Sequence, residues 1–323
     1  KEDGSVKKCK ELFAEYNIIL ILVLILGYGI WFVPYFASAN NVYKLLADFS
    51  MYGIAAIGMS FLLISGEIDL SLGMSVALSA IMSSLVGSRY GGAAGLISAI
   101  LVCGLVGAVN GFLVTKLRIS SLIATIATMT ALTGVCYILG NGATVPNTSP
   151  FLQGLYGFRL FGLKFLQLPV LLFALCLIGF GLLLHRTRFG NGIYVAGGNA
   201  EAGYSSGIEI GKTKTICFLI GGICAGITGV LLSSYVYAGA VSYGDGLNIT
   251  LISASVLGGV KFTGGKGSVI RTLLGIVVVR AIINIASLLS FDAWAQNVLT
   301  GALLLAVLIV DRCTREQRLE DAV

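Results

Sequence analysis

The stretch L-P-V-L-L-F-A-L-C-L-I-G-F-G-L-L-L-H, from Leu168 to His185, is apolar throughout except for the histidine that ends it. An α-helix rises 1.5 Å per residue, so this stretch would reach about 27 Å, close to the roughly 30 Å hydrocarbon core of a bilayer. A run of this length without Asp, Glu, Lys or Arg is typical of a helix that crosses a membrane. The stretch therefore predicts a membrane-spanning helix.

The composition of the whole chain agrees with a membrane location. Of 323 residues, 57% are hydrophobic and 11% are charged, whereas soluble domains have about 45–50% and about 25%. The mean hydropathy is +0.95. Because a soluble surface needs more charge than this, a soluble enzyme is excluded. We expect an all-α integral membrane protein in which residues 1–323 form a single transmembrane domain.

Ten stretches have the length and apolar character of membrane helices. They lie at approximately 16–36, 45–65, 70–88, 95–115, 119–139, 168–185, 213–237, 247–260, 269–290 and 293–311. The eighth is short and predicts a broken or partly submerged helix. With about ten transmembrane helices, both termini lie on the same side of the membrane.

The basic residues predict the orientation, because cytoplasmic loops carry an excess of Lys and Arg. With the N-terminus inside, sixteen Lys and Arg residues fall in cytoplasmic segments and four fall outside, while Arg280 is left within a span. We therefore expect an N-in/C-in protein with cytoplasmic tails at 1–15 and 312–323 and a cytoplasmic loop at 185–212. The net charge of +6 is then a signal of topology, and no basic stripe with interleaved aromatic residues indicates a nucleic-acid partner.

Residues that bind metals or nucleotides are scarce. His185 is the single histidine, and most cysteines lie in apolar runs, where they are expected to pack as small side chains. Gly264–Ser268 reads G-G-K-G-S, but a Walker A loop needs Ser or Thr directly after its Lys, and glycine follows Lys266. We expect no catalytic residues, metal site, cofactor or ATP site in this chain.

The cytoplasmic loop contains its own helix signals. A glycine pair favours a turn before Asn199, which is a good N-cap, and Glu201 suits the positive end of a helix dipole. Gly207 is a natural stop. These signals predict a capped helix over Ala200–Ser206. On spacing alone, it is either an ordinary interhelical connection or a rigid knob presented to a cytoplasmic motor.

Two glycine-interrupted segments, Gly66–Gly73 and Gly258–Gly267, follow spans at corresponding places in the two halves of the chain. Paired interruptions of this kind indicate moving parts or a binding site in a transporter. The sequence leaves open whether they are re-entrant or lie at the cytoplasmic surface.

Glu67 and Asp69 lie in the first interrupted segment. They could accept backbone N–H groups, pair with Lys261 or Lys266, or face a translocation path. Nothing nearby resembles a nucleophile or an oxyanion hole, which argues against a catalytic pair.

Three polar side chains within spans are further candidates for the translocation path: Asn110, Arg280 and Asn284. A charge at mid-membrane has to pair or meet water. Arg280 therefore either lines the pore or pairs externally, for example with Asp292. The small-residue motifs Gly107-x-x-x-Gly111 and Gly222-x-x-x-Gly226 are interpreted first as helix-packing faces. The external loop Asn141–Gln167 is either a docking surface or a cap over helix ends.

Three motifs resemble a known family. They are S-G-E-I-D-L-S-L-G at Ser65–Gly73, T-R-F-G-N-G-I-Y-V-A-G-G-N-A-E-A at Thr187–Ala202 followed by S-G-I, and V-L-G-G-V-K-F-T-G-G-K-G-S-V at Val256–Val269. In this order and at these spacings, the chain resembles the ribose/galactose/xylose-type permease subunits of bacterial ABC sugar importers. It departs from the family at Gly203 and Tyr204, where alanine and a basic residue are usual.

The resemblance implies the ABC importer permease fold in the bacterial cytoplasmic (inner) membrane. It also implies three partners: cytoplasmic ATPase subunits that hold ATP and Mg²⁺, a second permease copy or paralogue, and a periplasmic or lipid-anchored sugar-binding protein. Gly198, Asn199, Ala200, Glu201 and Ala202, closed by Gly207, would form the coupling helix that sits in a cleft of the ATPase. The implied function is translocation of a monosaccharide by alternating access.

Other functions stay open. A permease of the same fold could carry nucleosides or branched-chain amino acids. An ion-coupled secondary transporter would usually need intramembrane acids, and outside Gly66–Gly73 the sequence places its acids at span ends or in tails. A structural membrane protein is disfavoured by the organised cytoplasmic loop.

Overall fold

The computed structural model describes the backbone of residues 4–320 and the side chains of residues 18–306 and 309. The chain forms thirteen α-helices in this part: α1 Gly4–Phe32, α2 Ala39–Ile64, α3 Leu72–Tyr90, α4 Gly92–Thr115, α5 Ser121–Leu139, α6 Pro150–Gly157, α7 Leu168–Arg186, α8 Arg188–Gly198, α9 Ala200–Ser205, α10 Ile210–Val236, α11 Leu247–Leu257, α12 Val269–Leu288 and α13 Ala293–Glu320. Two short strands, β1 Val145–Pro146 and β2 Ala238–Gly239, pair antiparallel.

Each of the ten predicted stretches is helical. Within the described residues, seven helices are long and apolar enough to cross a membrane: α2, α3, α4, α5, α7, α10 and α12. The apolar parts of α1 and α13, Ile18–Phe32 and Ala293–Ala306, are shorter. Helix α11 has 11 residues, about 16 Å at 1.5 Å per residue, as the shortness of the eighth stretch predicted.

Helix α2 lies at the centre of the main core. It packs against α7, α10, α11 and α12, and nearly every side chain from Ile54 to Ile64 is buried. From Ile54 to Ile64 the helix is buried on every side, so this part of α2 has no surface facing lipid or solvent.

Helices α4 and α10 pack through the two predicted small-residue motifs. A Cβ at Gly107 would overlap the carbonyl of Phe218, and one at Gly222 would overlap the carbonyl of Cys103. The glycines therefore allow the two backbones to touch, which confirms the packing interpretation of both motifs.

The connections collect at two ends of the bundle. At the first, which we call the α8–α9 end, the α2–α3 and α11–α12 connections meet the segment around α8. At the other, the ribbon end, β1 pairs with β2 and the Tyr156 N–H donates to Ser234 Oγ at 2.8 Å.

Three features were not predicted. Helix α8 was not expected, and its last two residues, Gly197 and Gly198, were predicted as a turn. The strands β1 and β2 form a small ribbon in a chain expected to be all-α, and the segment Asn141–Gln167 contains α6. The predicted tails at 1–15 and 312–323 fall partly outside the described residues, although α1 already begins at Gly4.

Candidate functional site

The short helix α9 forms where the sequence predicted a capped helix, and it ends at Ser205, one residue before the predicted end. Asn199 is extended, with φ −157° and ψ 90°, and its Oδ1 accepts from the Ala202 N–H at 3.0 Å. At the other end Gly207 has φ +76°, and the N–H groups of Gly207 and Ile208 donate to the carbonyls of Tyr204 and Gly203. This is the Schellman arrangement, which a left-handed glycine makes possible.

One face of α9 is open to solvent. Glu201, Ala202 and Tyr204 are exposed, and the Tyr204 side chain is 64% accessible. Gly203 lies on the inner face, where it is buried against Ile210. A Cβ at Gly203 would press on the side chains of Ile210 and Val195, so glycine fits this inner position.

Helix α8 precedes α9 and was missed because it contains Gly190, Gly192, Gly197 and Gly198, which lower helix propensity. A Cβ at Gly190 would overlap the Leu184 carbonyl. Its glycines thus allow α8 to lie against the end of α7. The signal that could have revealed α8 is Thr187, whose Oγ1 accepts from the Gly190 N–H at 3.0 Å as an N-cap.

The end of α2 is closed by the first interrupted segment. Gly66 has φ +80°, and the N–H groups of Gly66 and Glu67 donate to the carbonyls of Leu63 and Leu62 in a second Schellman arrangement. The next carbonyl, that of Ile64, accepts from the Gly265 N–H at 2.8 Å. The second interrupted segment therefore completes the hydrogen bonding at the end of the central helix.

Four glycines from three connections meet here without side chains between them: Gly66, Gly197, Gly264 and Gly265. We call this cluster the glycine junction. A Cβ at Gly197 would come within 2.6 Å of the Gly265 nitrogen, and one at Gly264 would come within 2.8 Å of the Gly66 Cα. Real Cβ atoms do not approach so closely, so the junction is in backbone-to-backbone contact.

Tyr194 of α8 adds a side-chain link to the same region. Its hydroxyl donates to the Gly267 carbonyl at 2.8 Å. Burial raises the pKa of Tyr194 above the ordinary value for a phenol, so the hydroxyl keeps its proton for this bond. His185 lies 3.4 Å from both the Tyr194 hydroxyl and Ser268 Oγ.

Glu67 forms an ion pair with Lys214. The two side chains are only 11% and 19% exposed, and Lys214 Nζ lies 2.6 Å from Glu67 Oε1. Of the roles the sequence left open for Glu67, the structure selects pairing, and the partner is in α10 rather than among the suggested lysines Lys261 and Lys266.

Asp69 belongs to a buried hydrogen-bond network. Its Oδ1 accepts from the N–H and the hydroxyl of Ser71 at 2.8 and 2.6 Å, and Asn110 Nδ2 approaches Oδ2 at 3.3 Å. Asn110 Oδ1 in turn accepts from the Thr128 hydroxyl at 2.7 Å. Removal from water raises the pKa of the Asp69 carboxyl, and the hydrogen bonds from Ser71 and Asn110 oppose that shift.

Arg280 pairs with Asp48 of α2. Its Nε and Nη2 donate to the two carboxylate oxygens at 2.6 and 2.8 Å, and the guanidinium lies 4.0 Å from the ring centroid of Tyr52. The suggested partner Asp292 instead accepts from the Ala295 N–H at 2.7 Å at the start of α13. Asp48 also corrects the view that acids outside Gly66–Gly73 lie only at span ends or in tails, because it is ten residues into α2.

Asn284 lies one turn beyond Arg280 and forms a reciprocal amide pair with Asn41, with N···O distances of 2.9 and 3.0 Å. The five residues predicted for a translocation path thus do not form one cluster. Asp69 contacts Asn110, Glu67 contacts Lys214, and Arg280 and Asn284 contact the half of α2 nearer the ribbon end. From Asp48 to Ile64 that helix rises about 24 Å.

The sequence comparisons agree with this architecture. Residues 41–308 match the family model described as the permease component of a branched-chain amino acid transport system. The chain is 36% identical to the L-arabinose transport system permease protein AraH of Escherichia coli K12, covering 93% of this chain and 91% of that protein.

Two further relatives cover similar shares. The chain is 30% identical to the ribose import permease protein RbsC of Bacillus subtilis, covering 96% and 94%, and 31% identical to the xylose transport system permease protein XylH of E. coli K12, covering 87% of each. No solved structure matches the chain. These relatives are permease components of transporters rather than enzymes. With its match over most of its length and its apolar helices, the chain belongs to this permease family and is a multi-pass protein of the inner membrane.

Proposed function

We propose that this chain is the transmembrane subunit of an ATP-driven, binding-protein-dependent importer that translocates a monosaccharide by alternating access. The observation that carries the proposal is the capped, exposed helix α9, held on the glycine junction, in a chain similar to arabinose, ribose and xylose permeases over most of its length.

Helix α9 is the proposed docking element for a cytoplasmic ATPase. Gly198–Ala202 and Gly207 define its two ends, and its outer face offers an acidic side chain, Glu201, beside an exposed aromatic one, Tyr204. Exposed tyrosines are frequent energetic centres of protein interfaces. ATP and Mg²⁺ would be held by the ATPase, and this chain would receive the motion.

We further propose ten crossings with both termini in the cytoplasm. Among the residues whose side chains the structure describes, nine Lys and Arg lie at the α8–α9 end and four at the ribbon end. This asymmetry supports a cytoplasmic α8–α9 end. The ribbon end, with α6, would then face the sugar-binding protein, and a second permease copy or paralogue would complete the transporter.

We also propose five residues as contacts of the translocation path. Glu67, Asp69 and Asn110 lie near the α8–α9 end, and Arg280 and Asn284 lie toward the ribbon end. Their hydrogen bonds and ion pairs are satisfied within the chain, which fits a path that makes weak contacts and releases its substrate.

The description of the matching family favours a second candidate, a permease for branched-chain amino acids. Nucleosides are a third substrate class compatible with the fold. An ion-coupled transporter would use an intramembrane acid such as Asp48, but Arg280 already neutralises that carboxylate.

The test is uptake into proteoliposomes that contain this chain with its ATPase and binding-protein partners. We expect ATP-dependent uptake of at least one of labelled L-arabinose, ribose and xylose, and none of leucine or adenosine. Uptake of leucine or adenosine alone would favour the alternatives, and uptake without ATP would contradict the proposal.

The docking role is tested in the same system with Glu201→Lys and Tyr204→Ala. We expect either change to weaken ATPase binding by at least about tenfold. Tyr90→Ala is the matched control, since Tyr90 is 67% exposed at the ribbon end. Wild-type affinity in both α9 variants would contradict docking at α9.

A further inference from the structure

We infer that the glycine junction is the element that transmits movement of α8 and α9 to the central helix α2 and to the start of α12. This inference rests on the proposed function and adds positioning residues to it: Gly197, Gly265 and Tyr194.

The first step is the position of the three connections. Gly197 lies two residues before Asn199, the N-cap of α9. Gly66 closes α2, and Gly265 lies three residues before Ser268, the N-cap of α12. A displacement of the turn between α8 and α9 therefore acts at the same time on the C-terminal end of α2 and on the N-terminal end of α12.

The second step is the stiffness of the contact. Side chains at an interface can change rotamer and absorb a displacement, whereas backbone atoms in van der Waals contact cannot. At the junction the Gly265 N–H donates to the Ile64 carbonyl at 2.8 Å, and Gly66, Gly264 and Gly265 all have φ between +73° and +82°. These conformations favour glycine, so the close approach is built into the sequence.

The third step is the reach of the two helices. Helices α2 and α12 pack against each other and are joined toward the ribbon end by Arg280–Asp48 and Asn284–Asn41. A push at the junction is thus carried along both helices to polar contacts on the far side of the bundle. Tyr194 strengthens the link by holding the Gly267 carbonyl at 2.8 Å.

The test compares two glycines of α8. A Cβ in Gly197→Ala would overlap the Ile64 carbonyl, whereas the nearest atom to a Cβ in Gly192→Ala is the Ile208 Cγ2, at an ordinary 3.5 Å. Both variants are reconstituted with the ATPase and binding protein, and labelled pentose uptake is divided by ATP hydrolysed. We expect Gly197→Ala to lower this ratio about tenfold and Gly192→Ala to keep it near wild type.

Tyr194→Phe is the second variant, because it removes only the hydroxyl and leaves the junction backbone free to fold. We expect its ratio to fall several-fold while its affinity for the ATPase is unchanged. If Gly197→Ala assembles and keeps the wild-type ratio, the inference is overturned. If Gly197→Ala does not assemble, a wild-type ratio in Tyr194→Phe overturns it. Failure of the wild-type complex to take up any sugar would instead overturn the proposed function.

Discussion

Arg280 and Asp48 place two opposite charges within the helices of a membrane protein. Their side chains are 14% and 23% exposed, and the guanidinium makes two hydrogen bonds to the carboxylate. An unpaired charge in this position would be costly, whereas a paired one is tolerated. The pair therefore holds α2 and α12 together toward the ribbon end.

We predict that Asp48→Asn lowers the free energy of unfolding by about 3 kcal/mol, because it leaves the guanidinium without a counter-charge. The double variant Asp48→Leu/Arg280→Met should recover most of this loss, since apolar pairs of similar size often replace buried ion pairs without cost. Thermal unfolding of the purified protein in detergent measures both.

The exposed pair Glu209–Lys212 is the control for this prediction. Its side chains are 74% and 70% accessible, and exposed pairs contribute roughly 0–1 kcal/mol. Glu209→Gln should leave the unfolding temperature unchanged. A single Asp48→Asn variant as stable as wild type would mean that the Arg280 charge is satisfied in another way.

Among the helix pairs, α4 and α10 are in contact through the backbone at glycine residues. Gly107 and Gly222 each face a carbonyl of the other helix. Close approach of this kind gives dense packing in lipid, where the hydrophobic effect does not drive helices together.

We predict that Gly222→Val destabilises the protein by about 2 kcal/mol, because its branched side chain forces α4 and α10 apart. Gly104→Ala is the matched control on the same interface. A Cβ there meets only the Ile223 and Leu219 side chains, at 3.4 and 3.6 Å. Equal unfolding temperatures of Gly222→Val and wild type in detergent would show that the backbones are not in contact.

The whole molecule has two ends that differ in charge, and this difference predicts its orientation. In a background without native cysteines, we expect a membrane-impermeant maleimide to label Phe161→Cys in intact cells. Phe161 is 85% exposed in the connection between α5 and α7. Ser206→Cys, exposed beyond α9, should be labelled only after permeabilisation. The opposite pattern would reverse the proposed topology.

How far the sequence predicts the structure depends on the range of the interactions. The stretch Leu168–His185 is a helix, α9 begins at the predicted residue, and Gly207 closes it. These features depend on apolar runs, a cap residue and a left-handed glycine within a few positions. Helix α8 was missed for the converse reason. Its glycines are unfavourable locally, and they acquire their packing role only in the tertiary structure, Gly190 against α7 and Gly197 against the glycine junction.

The sequence by itself determined the membrane class, the positions of the apolar helices, the ends of α9 and the two packing motifs. Each follows from hydropathy or backbone chemistry that neighbouring residues settle. The tertiary structure alone decided that Glu67 pairs with Lys214, that Arg280 pairs with Asp48, and that the three glycine segments meet. Such pairings join residues that are far apart in the sequence, from 68 positions for Gly197 and Gly265 to 232 for Asp48 and Arg280. They therefore depend on how the helices are arranged and not on any local pattern.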